Sequence, residues 1–71
     1  MKDIVIIGAG GFGREVAWLL ERINNVTPTW NIKGFIDDNE RLWGKWEDNY
    51  KVLGGTEYLK NCGEIYAVCA V

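Results

Sequence analysis

Seventy-one residues with a formal net charge of −2 and no histidine make one domain at most. Hydrophobic residues are 48% and charged residues 25% of the chain, with both signs interspersed, so neither nucleic acid nor an anionic membrane is expected as the main partner. The missing histidine removes the commonest general base and metal ligand, and Cys62 and Cys69 have neither C-x-x-C spacing nor a histidine to complete a zinc set.

Lys2 to Gly8 reads as a buried parallel strand, because Ile4, Val5, Ile6 and Ile7 are continuous and β-branched. The glycines that follow break the strand, and a helix is predicted from Gly11 or Phe12. Its apolar stripe is Phe12, Val16, Leu19, Leu20 and Ile23, one face at helical spacing. Asn24-Asn25 ends it and Pro28 bars continuation. Trp30 to Ile36 is a second strand with Asp37-Asp38-Asn39 as its polar stop.

Glu40 to Lys51 is charged and carries Trp43, Trp46 and Tyr50; it reads as a loop with a turn of helix or a short strand, its aromatic residues taken for packing or interface. Val52-Leu53-Gly54-Gly55 is a brief extended piece ending in a turn. Thr56 is the expected N-cap of a short helix, Glu57 to Asn61, with Gly63 at its end. Glu64 to Val71 is another apolar strand, with Cys69 in its core. The order β-α-β-α-β predicts an α/β fold, a small Rossmann-like three-layer domain with a parallel sheet. No apolar run approaches a bilayer span and no basic n-region with a long apolar stretch follows Met1, so a cytoplasmic location is expected. The end at Val71, inside an apolar strand, leads us to expect a piece of a longer chain.

Gly8, Gly10 and Gly13 satisfy G-x-G-x-x-G between a strand and a helix. Gly8 permits the tight turn, Gly10 lets the backbone approach a phosphate and Gly13 lets the helix pack close to the strand. The unpaired amides and dipole of the first helical turn favour an anion; the alternative is a ligand-free tight turn. A Walker A loop is excluded, because Arg14-Glu15 stands where its lysine and hydroxyl would be. Asp37 and Asp38, at the end of the second strand, either serve ribose hydroxyls or a base edge, or only cap the strand. Arg14 adds charge to a bound diphosphate, or is solvated, or stacks on Trp18 four positions on.

The ordered segments "IVIIGAGGFGREVAWLLE", "KGFIDDNERLWGK", "YKVLGGTEYL" and "YAVCAV" together resemble the N-terminal domain of PglD/NeuD-type bacterial sugar O- and N-acetyltransferases. The resemblance covers nearly the whole chain. It implies that residues 1–71 bind a nucleotide-sugar acceptor, a UDP-sugar or related small molecule. Gly8, Gly10, Gly11, Phe12, Gly13 and Arg14 would line the diphosphate, Asp37 and Asp38 would face the uridine or sugar side, and Gly54 and Gly55 would border the pocket. Phe12 stands where many relatives carry histidine, so the loop offers the sugar no polar group there. The family's second half, a left-handed β-helix of hexapeptide repeats, is implied to form a homotrimer, bind acetyl-CoA and supply the catalytic histidine. No catalytic residue, metal or cofactor is therefore expected here. Two other readings are an NAD(P)-binding Rossmann fragment of an oxidoreductase or sugar epimerase, and a non-catalytic interaction module.

Overall fold

The computed structural model describes residues 1–70. Its elements are β1 (Lys2–Ile7), α1 (Gly11–Val26), β2 (Trp30–Ile36), a 3-10 turn (Glu40–Leu42), β3 (Trp46–Glu47), β4 (Tyr50–Gly54), α2 (Glu57–Lys60) and β5 (Tyr66–Cys69). They build one five-stranded sheet in the order β3-β4-β2-β1-β5. Only the two-residue β3 runs antiparallel to its neighbour. The parallel α/β fold expected from the sequence is present, with α1 against β1 and β2 and α2 against β4.

The core lies at the centre of this sheet. Ile6, Val5, Phe35, Ile36 and Val52 are completely buried. Successive strand residues face opposite sides, so burial of both Val5 and Ile6, and of both Phe35 and Ile36, means that each face is covered there. Each such side chain contributes about 1.5–3 kcal/mol through the apolar surface it removes from water. Between the pairs Ile4–Ile32 and Val5–Gly34 β2 carries one residue more than β1, Lys33. Gly34 has φ +149°, and a side chain there would collide with the Lys51 carbonyl.

The helix differs most from expectation. α1 runs through Asn24-Asn25 to Val26. Asn24 does not stop it but joins it to β2: its Oδ1 accepts from Thr29 N–H (3.0 Å) and Trp30 N–H (2.8 Å), and its Nδ2 donates to Trp30 O (2.7 Å). The buried face is Gly13, Ala17 and Leu20, while Phe12, Leu19 and Ile23 of the expected stripe are exposed. The reason is proximity: α1 lies so close to the end of β1 that small residues must face it. On the β4 side of α1, the Tyr50 hydroxyl donates to Glu21 (2.7 Å). Burial, followed by this carboxylate, pushes the Tyr50 phenol up to about 12.

Glu40 to Lys51 holds both alternatives foreseen for it, the 3-10 turn and β3, the latter turning into β4 through Asp48 at φ 56°. Thr56 precedes α2 but makes no side-chain cap, since its hydroxyl donates to Asp38. α2 ends at Lys60, and Gly63, with φ +73°, belongs to the turn beyond it. Cys69 is exposed rather than core, because β5 is an edge strand paired only with β1. Val71, included in the expected last strand, lies outside the described residues. At the N-terminal end of the sheet Trp30 and Tyr66 meet edge to face at 5.4 Å, and the Lys2 ammonium lies 5.4 Å from the Tyr66 ring centre.

Candidate functional site

β1, β2, β4 and β5 are parallel, so their C-terminal ends share one edge of the sheet. Gly8 to Gly13, Asp37-Asp38, Gly54-Gly55 and Ala70 follow directly from those ends. From β1 the chain proceeds to β2 and β4 on one side, then returns to place β5 on the other. Ligands of open α/β sheets bind where the order reverses in this way, in the crevice outside the carboxyl ends of the strands. Here that point lies between β1 and β5, at the glycine loop.

The glycines divide by what surrounds them. Gly8 has φ +107°, and a Cβ there would come within 3.0 Å of the Ala70 carbonyl oxygen. A Cβ at Gly13 would collide with the Gly8 carbonyl oxygen and lie 3.3 Å from the Phe35 ring. Both positions are fixed by packing. Gly11 meets only the Arg14 side chain, at 3.8 Å, and a Cβ at Gly10 would meet nothing within 4 Å. Space therefore stands open over the middle of the loop, where packing does not require glycine.

The helix begins over that space. Arg14 N–H donates to the Gly10 carbonyl (3.1 Å), the first bond of α1. The amides of Gly11, Phe12 and Gly13 thus have no intrahelical acceptor, and with the positive end of the helix dipole they favour an anion. The Phe12 side chain is exposed. Arg14 is paired with Glu47 (3.1 Å) and, more loosely, Asp48 (3.9 Å). It does not stack on Trp18; Arg22 does, with its guanidinium 4.7 Å from the ring centre.

The acidic pair is engaged with the protein's own backbone. Asp37 Oδ2 accepts from Ala9 N–H in the glycine loop (3.0 Å), and Oδ1 accepts from Asn39 N–H (2.9 Å). These two amides, Asn39 first, hold the Asp37 carboxyl below the usual carboxylate range, against a smaller opposing effect of burial. Asp38 Oδ1 accepts from Thr56 N–H (2.8 Å) and lies 3.3 Å from the Thr56 hydroxyl. Gly54 and Gly55 are buried, and a Cβ at Gly55 would meet Asp38 Oδ1 at 2.7 Å and the Trp43 ring at 3.0 Å. Gly55 thus serves the packing of Asp38 and Trp43 against the end of β4.

All ten residues singled out in the sequence therefore gather at one edge. What sequence reasoning missed is the set of partners, namely Ala9, Trp43, Glu47, Asp48 and Thr56. Trp43 stood out only as an aromatic residue, yet its indole donates to the Asp37 carbonyl (2.7 Å). Among the described residues, no three or more His, Cys, Asp or Glu side chains are grouped so as to hold a metal ion. No described helix is long and apolar enough to cross a membrane. No curated protein matches the chain. A family model described as the PglD N-terminal domain matches residues 3–71.

Proposed function

Because this chain belongs to the PglD N-terminal domain family, a family tied to sugar acetyltransferases, we propose that it is the acceptor-binding domain of such an enzyme and holds a UDP-sugar or a related nucleotide sugar by its diphosphate. The observation that carries this reading is the open space over Gly10 beside the unpartnered amides of Gly11, Phe12 and Gly13. A diphosphate is the anion whose size and charge suit such a cradle. In this reading Gly8 and Gly13 shape the loop, and Gly10, Gly11 and Phe12 line the ligand. Arg14 supplies charge on exchanging Glu47 for a phosphate oxygen, and Asp38 with Gly54-Gly55 borders the nucleoside side.

The dinucleotide alternative is less well supported. A dinucleotide fold directs the acid after its second strand to the ribose hydroxyls. Here Asp37 is bonded through both oxygens to amides, and Asp38 to Thr56.

In the whole enzyme, acetyl transfer to a sugar amine or hydroxyl would use acetyl-CoA and a catalytic histidine, both belonging to a β-helical half that follows this domain and forms the trimer. The task of these 71 residues is to bind and orient the acceptor. Calorimetric titration with UDP, a UDP-amino sugar, NAD and NADP tests this: the uridine ligands should bind in preference, and stronger binding of NAD than of UDP would overturn it. Reading the gene beyond codon 71 for hexapeptide repeats tests the domain arrangement.

A further inference from the structure

Asp37 occupies an unusual place for an acid beside an anion-binding loop. Its carboxylate does not face the space over Gly10 in search of a partner; it is bonded to the loop itself. Oδ2 takes the amide of Ala9, the residue between Gly8 and Gly10, and Oδ1 takes the amide of Asn39, across the turn after β2. The main chain of the same residue is held as firmly. Asp37 N–H donates to Gly54 O (2.9 Å), and Asp37 O accepts the Trp43 indole N–H (2.7 Å). Immediately before it, Ile36 O accepts Gly8 N–H (2.7 Å). One residue thus joins the β1–α1 loop, the turn after β2, the end of β4 and Trp43.

We infer that Asp37 is a positioning residue: its carboxylate clips the Ala9 amide, turning the next amides of the loop, Gly10 to Gly13, outward to the ligand, and does not itself contact the nucleotide. An acceptor for Ala9 N–H drawn from the ligand would pull the loop toward the phosphate, whereas an acceptor built into β2 fixes the loop before any ligand arrives. Preorganisation of this kind lowers the ordering cost of binding. A bond from an ionised acceptor to an amide is also about twice as strong as a neutral one.

The clip depends on ionisation. The folded carboxyl titrates below the unperturbed 3.8, so the clip is complete above that value and is lost as pH falls through the lower folded value. No charged side chain competes for it among the described residues. Asp38 is turned to Thr56 and Arg14 is paired with Glu47 and Asp48, while Glu40 and Arg41 of the 3-10 turn make no bond to Asp37.

The ligand part of this inference rests on the function proposed above; the clip does not, and the two are read separately. In the labelled chain at neutral pH, coupling across the hydrogen bonds should connect the Ala9 and Asn39 nitrogens to Asp37 Cγ. On acidification both amides should shift with one common midpoint. In Asp37→Asn the Gly10 to Gly13 amides should move and affinity for UDP should fall about tenfold, while Asp38→Asn leaves the loop amides in place. Absence of the coupling, or an Ala9 amide indifferent to pH, overturns the clip, whether or not Asp37→Asn folds. Loss of UDP binding in Asp37→Asn with the Gly10 to Gly13 amides unmoved also overturns it, by making Asp37 a direct contact. A wild-type chain that binds no UDP sinks the acceptor-binding reading alone, and the coupling still decides the clip.

Discussion

The two ends of the parallel sheet are held together by different means. At the N-terminal end one main-chain bond, Lys2 N–H to Thr29 O (2.9 Å), is outnumbered by side-chain contacts. Trp30 meets Tyr66 edge to face, Lys2 lies over Tyr66, Asn31 Nδ2 donates to Asp3 (2.8 Å) and Asn24 grips the start of β2 with three bonds. At the C-terminal end the main chain does the holding: Gly8 N–H to Ile36 O, Asp37 N–H to Gly54 O and Ala70 N–H to Ile7 O, with the Asp37 carboxylate as the principal side-chain addition. An end bridged by side chains presents those side chains, not main-chain amides, to whatever lies above it. An end tied by backbone, with glycines where side chains would stand, keeps its amides near an open surface, and such a surface can take a ligand.

Four substitutions bear on this contrast, from the largest effect to the smallest. Gly13→Ala drives a methyl group into the Gly8 carbonyl and should destabilise by about 3 kcal/mol, read as a lower urea midpoint. Asn24→Ala removes the three bonds at the other end. It should cost about 2 kcal/mol and leave UDP affinity unchanged in the molecules that remain folded; a change in affinity would erase the functional distinction between the ends. Gly10→Ala inverts that pattern. With nothing within 4 Å of the added methyl, stability should change by no more than about 0.5 kcal/mol, while UDP affinity falls about tenfold. Tyr50→Phe should act least at neutral pH. The wild-type phenol is raised to about 12, so its stabilising contribution is present below its ordinary 10.0 and lost as pH rises through about 12. A denaturation series across that range should show wild type losing stability that the variant does not.

Much of this was legible because it is local. β1 announces itself by four β-branched residues in a row, β2 matches Trp30 to Ile36 residue for residue, and the glycine spacing places the turn. The face of α1 was not legible. A helix held at ordinary distance from a sheet buries its large apolar stripe, but here close approach selects Gly13 and Ala17, leaving Phe12, Leu19 and Ile23 outside. The edge position of β5, and with it the exposure of Cys69, follows from strand order, which no single strand encodes. That the candidate site residues share one edge of the sheet was legible from their places after the strands. The bond from Asp37 to Ala9 was not, because it spans 28 residues and exists only once β2 lies beside β1.

The unequal rims of the sheet bear on how the domain behaves in crowded solution. One rim is β3, two residues long, ending in Glu47 and turned back by Asp48-Asn49. The other is β5, whose Tyr66, Ala67, Val68 and Cys69 carry no charge and whose outer side pairs with no described strand. Charge and shortness are among the usual guards against edge-to-edge sticking, and the two-residue β3 with Glu47 has both, whereas β5 carries no charge. Only one of the two edges is therefore left without such a guard, and an edge-to-edge contact through it would leave the β3 rim no equal site at which to extend the contact.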